Sequence, residues 1–558
     1  MKWSCGYRMR SMLVGFIAAI VLGGIELASG ATITVGPGQA IQAAIDAAND
    51  TDTVLVAPGE YVITVPITFR GKAITVISEA GPDETSIRMG TPADPDRASV
   101  VIFENNETAA SVLEGFTITG GRGCCRFWDP EESEFDCAGG GILFDTSSGT
   151  VRDCAIAQNR AKDVAGGVFI GLGSSAILTQ CIISGNMTTD EGGGGMMLHS
   201  GSSATLTDCI IGENVATEDS GGGVLCWENS SATLTNCTIS ENSAGRSGGG
   251  VFCGKGSSMT VTGCIIRDNS CLATAWAGGG GVHCYLDSSL TMTDCLIVEN
   301  YSGCVGGGVF CSDSAASVTV TNCIIAGNTA RSGGGLGGWA PVSMAVINCT
   351  IWGNSANFGG GMGCFNGASA TVTNSILWGN TAPKGPEIHL QKTPTEFRIM
   401  HSNVAGGEAG ADVRGGSTLD WGAGNIDADP LFARLGYFDD NGTRDSSDDF
   451  WVDGDYRLKS QAGRWDPDSQ TWVQDDVTSP CIDAGDPMAP INWELFPNGG
   501  FVNMGAYGGT PKASKSYFGE PVCETVVAGD INGDGQVNRA DLQIMALHWT
   551  DEEPLSLP

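Results

Sequence analysis

Near the C-terminus, "GDINGDGQVNRADLQIMALHW" (Gly529–Trp549) spaces its oxygen-bearing side chains evenly. Counted from Asp530, Asn532, Asp534 and Asn538 fall at positions 3, 5 and 9, and Asp541 stands at position 12. Gly535 occupies the sharp turn at position 6, and Gln536 at 7 can offer its backbone carbonyl. An oxygen-only set in this register suits the six to eight ligands of a hard Ca²⁺ ion. Calcium is therefore the expected cofactor, held by Asp530, Asn532, Asp534, Gln536, Asn538 and Asp541.

A second candidate lies in the middle of the chain. Asp163, Asp190 and Glu218 each stand four residues after an Asn (Asn159, Asn186, Asn214) in three successive repeats. If the fold stacks and partly shields them, carboxylates ~4.8 Å apart need a bound cation or a retained proton, and so form a candidate cation or acid site; if the loops splay, water screens all three. A third comprises Trp352 and Trp378, in corresponding positions of consecutive repeats. Their indole faces suit sugar rings, and equally suit packing beneath a later segment.

Stacking follows from the repeat. Units of 26 to 31 residues open at Cys154, Cys181, Cys209, Cys237, Cys264, Cys295, Cys323, Cys349 and Ser375. Each holds three short β-type pieces (Gly-Gly-Val-x-Cys, Ala-Thr-Leu-Thr, Cys-x-Ile), none with a helical period. Three strands per turn, repeated, predict an all-β parallel β-helix over residues 31–400, irregular to about 150 and regular over 151–380. An Asn five residues into every unit (Asn159 through Asn380) is expected at a left-handed corner, its amide bonded coil to coil. The unit-opening Cys and a second column, Cys226, Cys253, Cys284, Cys311 and Cys364, alternate inward as small apolar fillers. Cys271 with Cys304, and Cys124, Cys125 and Cys137, lie in loops where oxidation is open to them.

The ends differ from the middle. Lys2, Arg8 and Arg10, an apolar run from Leu13 to Leu27, and a small-residue "ASG" read as a secretory signal over residues 1–30. Ile41, Ala44, Ile45 and Ala48 at helical spacing predict a capping helix over Gln39–Ala48. Residues 401–511 read as a closing segment, 512–528 as a linker and 529–550 as the calcium loop with its helix. The whole chain carries a formal charge of −35; without residues 1–30 it keeps 25 basic against 62 acidic residues. Such a chain repels nucleic acid and anionic membrane. No segment after the signal reaches the ~20 apolar residues of a membrane span.

One feature of the regular coils is unusual. If Val224 and Cys226 point inward, Leu225 points out, and its column reads Phe169, Met197, Leu225, Phe252, His283, Phe310. A stripe this long is either a ligand groove or a surface under loops or the 401–520 segment; covering is the expectation, with His283 an incidental surface residue.

"IQAAIDAANDTDTVLVAPGEY", "SVLEGFTITGG" and the Gly-Gly-Gly/Asn units resemble secreted right-handed parallel β-helix proteins of the pectin-lyase-like class. The units also resemble polymorphic outer-membrane-protein repeats. "DADPLF", "GDYRLKSQAG", "SPCIDAGDP" and "NMGAYGGTP" resemble the closing segment of bacterial cell-surface β-helix proteins, and residues 529–549 resemble half of a type I dockerin. The resemblance implies a right-handed coil and a secreted or cell-surface protein associated with extracellular polysaccharide. It also implies a cohesin-like or surface partner for the C-terminal loop and helix. For activity it implies a polysaccharide lyase or O-glycosyl hydrolase on one side, and a non-catalytic structural or adhesin-like protein on the other. The Asp triad with Gly-His-Gly of polygalacturonases is missing from the sequence, and Arg246, Lys255, Arg267 and Arg331 form no recognisable set of bases.

Overall fold

The computed structural model describes residues 30–126, 136–274, 277–392, 394–439 and 450–517. The signal segment up to Ser29 and the calcium loop Asp530–Asp541 lie outside the described residues.

The chain winds into a right-handed parallel β-helix of about 13 coils. One coil shows the rule: strands Val224–Cys226, Ser231–Thr235 and Thr238–Ser240, then a short ribbon Ser243–Ala244. Each pairs in parallel, in register, with its counterpart one coil on, as in Val224↔Val251, Thr233↔Thr260 and Ile239↔Ile266. Like strands thereby form three long sheets. The first runs from Thr32–Val35 to Thr418–Trp421 and the second from Gly59–Ile63 to Asn403–Val404. The third runs from Ile67–Thr68 to Asp412–Arg414, and a seven-stranded ribbon closes one corner. Alternation sends Val224, Cys226, Leu234 and Ile239 into one continuous core.

Both cysteine columns are in that core, and their thiols are free. Burial pushes the thiols of Cys154, Cys323 and Cys364 up, the last to about 12, so they fill space rather than react. Of the loop cysteines, Cys125 and Cys137 are bridged across a small hairpin, whereas Cys271 and Cys304 are free.

The asparagines form a ladder inside the coil. Asn214 donates from Nδ2 and from its backbone N–H to Oδ1 of Asn242, at 2.9 and 3.1 Å, and Asn242 repeats the pattern onto Asn269. The ladder runs from Asn159 to Asn380 and ends on the buried carboxylate of Glu387, which burial pushes up to about 7. The expected left-handed backbone is one residue earlier, at Glu213, Glu241 and Asp268 (φ 57°, 58° and 55°). The Asn side chains face inward and bond upward, so the turn falls on the exposed neighbour.

The glycine triplets make the third sheet's approach possible. Gly221 takes φ +69°, and a Cβ on Gly222 would lie 2.4 Å from the Gly249 carbonyl of the next coil.

The capping helix spans Ile41–Ala47 and buries Ile41, Ala44 and Ile45 against the first coil, as its spacing predicts. At the other end the coils continue past residue 400, to Trp421. The repeat's spelling thus fades before its geometry does. From there the chain turns back, and Phe432, Trp451, Tyr456, Leu458, Cys481 and Met504 pack on the outer face of the second sheet.

Candidate functional site

The outward stripe is the floor of a cleft. Phe169, Met197, Leu225 and Phe252 form an apolar cluster outside the coil, with Trp227 and Tyr285 packed on it. Register carries the column through Leu225↔Phe252↔His283↔Phe310, and then to Gly337 and Gly363, where Val305 and the Phe365 ring take the space a Cβ would fill. Next to the Phe169 end, Cys124, Val164 and Ala165 cover the stripe. From Met197 onward it opens into a cleft of about 1070 Å³ that reaches Gln391. Eight third-sheet strands at ~4.8 Å spacing give it a length of roughly 34 Å. The expected covering by the 401–520 segment is corrected: that segment packs on the second sheet instead.

One wall is built from residues two positions along each floor strand: His199, Trp227, Tyr285, Ser312, Trp339 and Phe365. Trp227 and Tyr285 lie two coils apart with ring planes within 10° and centroids 6.3 Å apart. Gly254 between them allows this, because a Cβ there would meet ring atoms of Trp227 and Phe252 at 2.6 Å. Beside them Glu228 accepts from Lys255 at 2.6 Å and Ser200 at 3.1 Å, with His199 Nε2 3.3 Å away. Lys255 is the main cause holding the Glu228 carboxyl below its usual range. The other wall carries Glu191, Asp219, Arg246, Cys304, Arg331 and Phe358.

His283 is no surface residue. It is 3% exposed, stacked on Phe310 at 4.5 Å and edge-on to Phe252 at 4.9 Å. Its Nε2 lies 2.8 Å from Ser312 Oγ, and its Nδ1 has no partner among the described residues. Burial, with Arg246 adding to it, pushes its pKa down to about 3, so the ring is neutral. The sequence signal was available: a polar residue inside an apolar column.

The other candidates are placed as follows. Asp163 is buried, accepting from the Cys137 N–H at 2.7 Å, and Lys162 Nζ stands 3.1 Å from Asp163 and 3.4 Å from Asp190. Glu218 is exposed. A lysine next in sequence to Asp163 therefore supplies the countercharge that the stacked carboxylates were expected to draw from a bound cation. Among the described residues no group of three or more His, Cys, Asp or Glu is arranged to hold a metal ion. Trp352 and Trp378 stack in register on the second sheet, as their spacing predicts. The Trp352 indole, however, donates to the Gly436 carbonyl at 3.2 Å and meets Phe432 edge-on, so the returning segment occupies the face offered to sugars.

The right handed beta helix region family matches residues 96–217 and 167–340, and the disaggregatase related family matches residues 366–485. No curated protein sequence matches the chain. Among solved structures, a pectate lyase is similar at 12% identity and a TM-score of 0.32, covering 86% of this chain and 97% of its own. The A-module of a mannuronan C-5 epimerase from Azotobacter vinelandii is similar at 13% identity and a TM-score of 0.36, covering 70% and 94%. The catalytic domain of a GH87 alpha-1,3-glucanase gives 13% identity and a TM-score of 0.25, covering 71% and 68%. Among the described residues no helix is long and apolar enough to cross a membrane. The chain is a right-handed parallel β-helix whose third sheet carries a long aromatic cleft.

Proposed function

We propose that the protein is secreted and binds a polysaccharide chain lengthwise in the third-sheet cleft, with degradation of the bound chain as a further step. One observation carries the reading. The cleft joins an aromatic floor and wall to polar rims over roughly 34 Å, room for several sugar rings in a row. Aromatic faces take the apolar side of a pyranose, and rim groups such as Glu228, Lys255, Asp313 and Gln391 take its hydroxyls. Affinity electrophoresis in gels cast with polysaccharides tests it. Wild-type mobility should fall and Trp227→Ala/Phe252→Ala should restore it; unchanged wild-type mobility across neutral and acidic glycans sinks the proposal. The products separate the enzymatic forms: unsaturated ends absorbing in the ultraviolet for a lyase, new reducing ends alone for a hydrolase.

The C-terminal loop adds calcium to this proposal through Asp530, Asn532, Asp534, Gln536, Asn538 and Asp541, in support of a cohesin-like or surface partner. Asp530→Ala/Asp534→Ala should abolish calorimetric calcium binding and leave the β-sheet circular dichroism intact. Calcium heat persisting in that variant would place the ion elsewhere.

A further inference from the structure

We infer that the middle of the cleft, over the Phe252, His283 and Phe310 coils, selects an uncharged sugar ring and hydrogen-bonds its hydroxyls through the His283–Ser312 pair. The inference rests on the glycan reading above and narrows it to a substrate class.

Hydrogen bonding comes first. Ser312 Oγ and His283 Nε2 are 2.8 Å apart, and one of them has to give a proton to the other. Whichever does, the His283 Nδ1 is left buried in the floor of the cleft without a partner among the described residues. Leaving such a group buried and unsatisfied is costly, and a ligand hydroxyl or a bridging water removes that cost. In either tautomer the pair together keeps one donor and one acceptor, divided between His283 Nδ1 and Ser312 Oγ, which is what sugar hydroxyls need and what a carboxylate, accepting only, half uses.

Charge then decides the class. The cations along this stretch already have carboxylates: Lys255 is 2.6 Å from Glu228 and Arg246 is 3.9 Å from Asp219. The same walls carry Glu191 and Asp313. A uronate held there would meet aromatic rings, a neutral histidine and carboxylates, in a chain of net charge −35. Like carboxylates repel more strongly in a cleft shielded from water than in bulk solvent. A neutral pyranose meets none of this, and can lay its C–H face on the near-parallel rings of Trp227 and Tyr285. The further cations, Arg331, Lys384 over Phe358 and Lys392 over Trp339, stand toward the C-terminal end and do not alter the middle.

The full chain would be run in EDTA, so that calcium cannot bridge acidic glycan to acidic protein, through gels containing glucomannan, xyloglucan, a branched α-glucan, polygalacturonate or alginate. The expected result is retardation by at least one neutral glycan and by neither polyuronate. His283→Phe should weaken the neutral interaction about tenfold at unchanged melting temperature. Glu228→Gln, which frees Lys255, should bring polyuronate retardation where wild type shows none. Retardation by a polyuronate, with or without neutral binding, overturns the inference and leaves the glycan reading standing. Neutral binding that ignores His283→Phe overturns the assigned anchor. No retardation by any of the five overturns the glycan reading itself.

Discussion

The second and third sheets present similar outer faces and meet different fates. Both carry stacked aromatic or apolar columns: Trp352 and Trp378 with Leu296 and Ile324 on the second, Met197 to Phe310 on the third. On the second, the returning chain seals the stripe. Trp451 is 6% exposed and lies across Gly327 and Gly353, where an added Cβ would stand 2.9–3.0 Å from the indole. On the third, the stripe stays open beyond the hairpin end and becomes the cleft. The difference lies less in the columns than in their borders. Beside the second sheet, the corner residue before each unit's opening position is Asn in the last three units. Asn322 donates to the Ala506 and Gly508 carbonyls, Asn348 donates to Gly508, and Asn374 accepts from the Asp486 N–H. These side chains bind passing backbone, whereas the border of the third sheet carries self-paired charges. A covered stripe needs edge groups that satisfy the cover's polar backbone as well as apolar area.

The contrast can be broken most forcefully at Trp451. Trp451→Ala should cost about 3–5 kcal/mol of stability and expose residues 450–517 to protease, with glycan retention unchanged. An unaltered melting curve would mean the segment's packing contributes little to holding it on the second sheet.

Next is a pH effect at the edge of the covered face. Burial, then the neighbouring Asp268, raises Glu299 to about 7 although Arg267 lies 2.7 Å away; Arg267 in turn faces Asp453 of the cover at 3.7 Å. A carboxyl raised in the fold contributes stability that is whole below its unfolded value near 4.5 and fades as pH rises through about 7. Melting temperature should therefore fall between pH 4.5 and 7.5, with Glu299 contributing up to about 2 kcal/mol of stability, and Glu299→Gln should make that slope shallower while Glu387 and Glu494, also raised to about 7 by burial, keep the rest. A slope left unchanged by the substitution assigns the whole titration to the other groups.

Asn348→Ala removes one amide from the border and should cost about 1 kcal/mol, read as a small shift in the denaturant midpoint. The open face should be the least sensitive in stability. Tyr285→Ala is expected to change it by no more than about 1 kcal/mol while lowering glycan retention several-fold. A large stability loss with retention intact would make Tyr285 a packing residue like its counterparts on the second sheet.

Much of the coil was legible because a repeat samples the same position nine times. The phase of the strands, the inward cysteines and the end-capping helix all follow from alternation and spacing, which depend on local geometry. Errors arose where one residue type serves two physical purposes. Asn both tolerates a left-handed backbone and bonds through its amide, and the ladder uses the second property while Glu213 or Glu241 supplies the first. Asp163, Asp190 and Glu218 read as one acidic column, whereas Lys162 reaches the first two and Glu218 stands exposed. His283 looked incidental because exposure, unlike alternation, depends on walls contributed by other coils.

By itself, then, the sequence determined the parallel β-helix, its register and which columns face out, since each is set by contacts one coil away and repeated along the axis. It also holds the calcium-loop spacing of Asp530 to Asp541 in a single local stretch. Only the tertiary structure decided which outward face is covered and which is open. That choice is made between residues such as Asn322 and Gly508, 186 positions apart, and no periodicity links them.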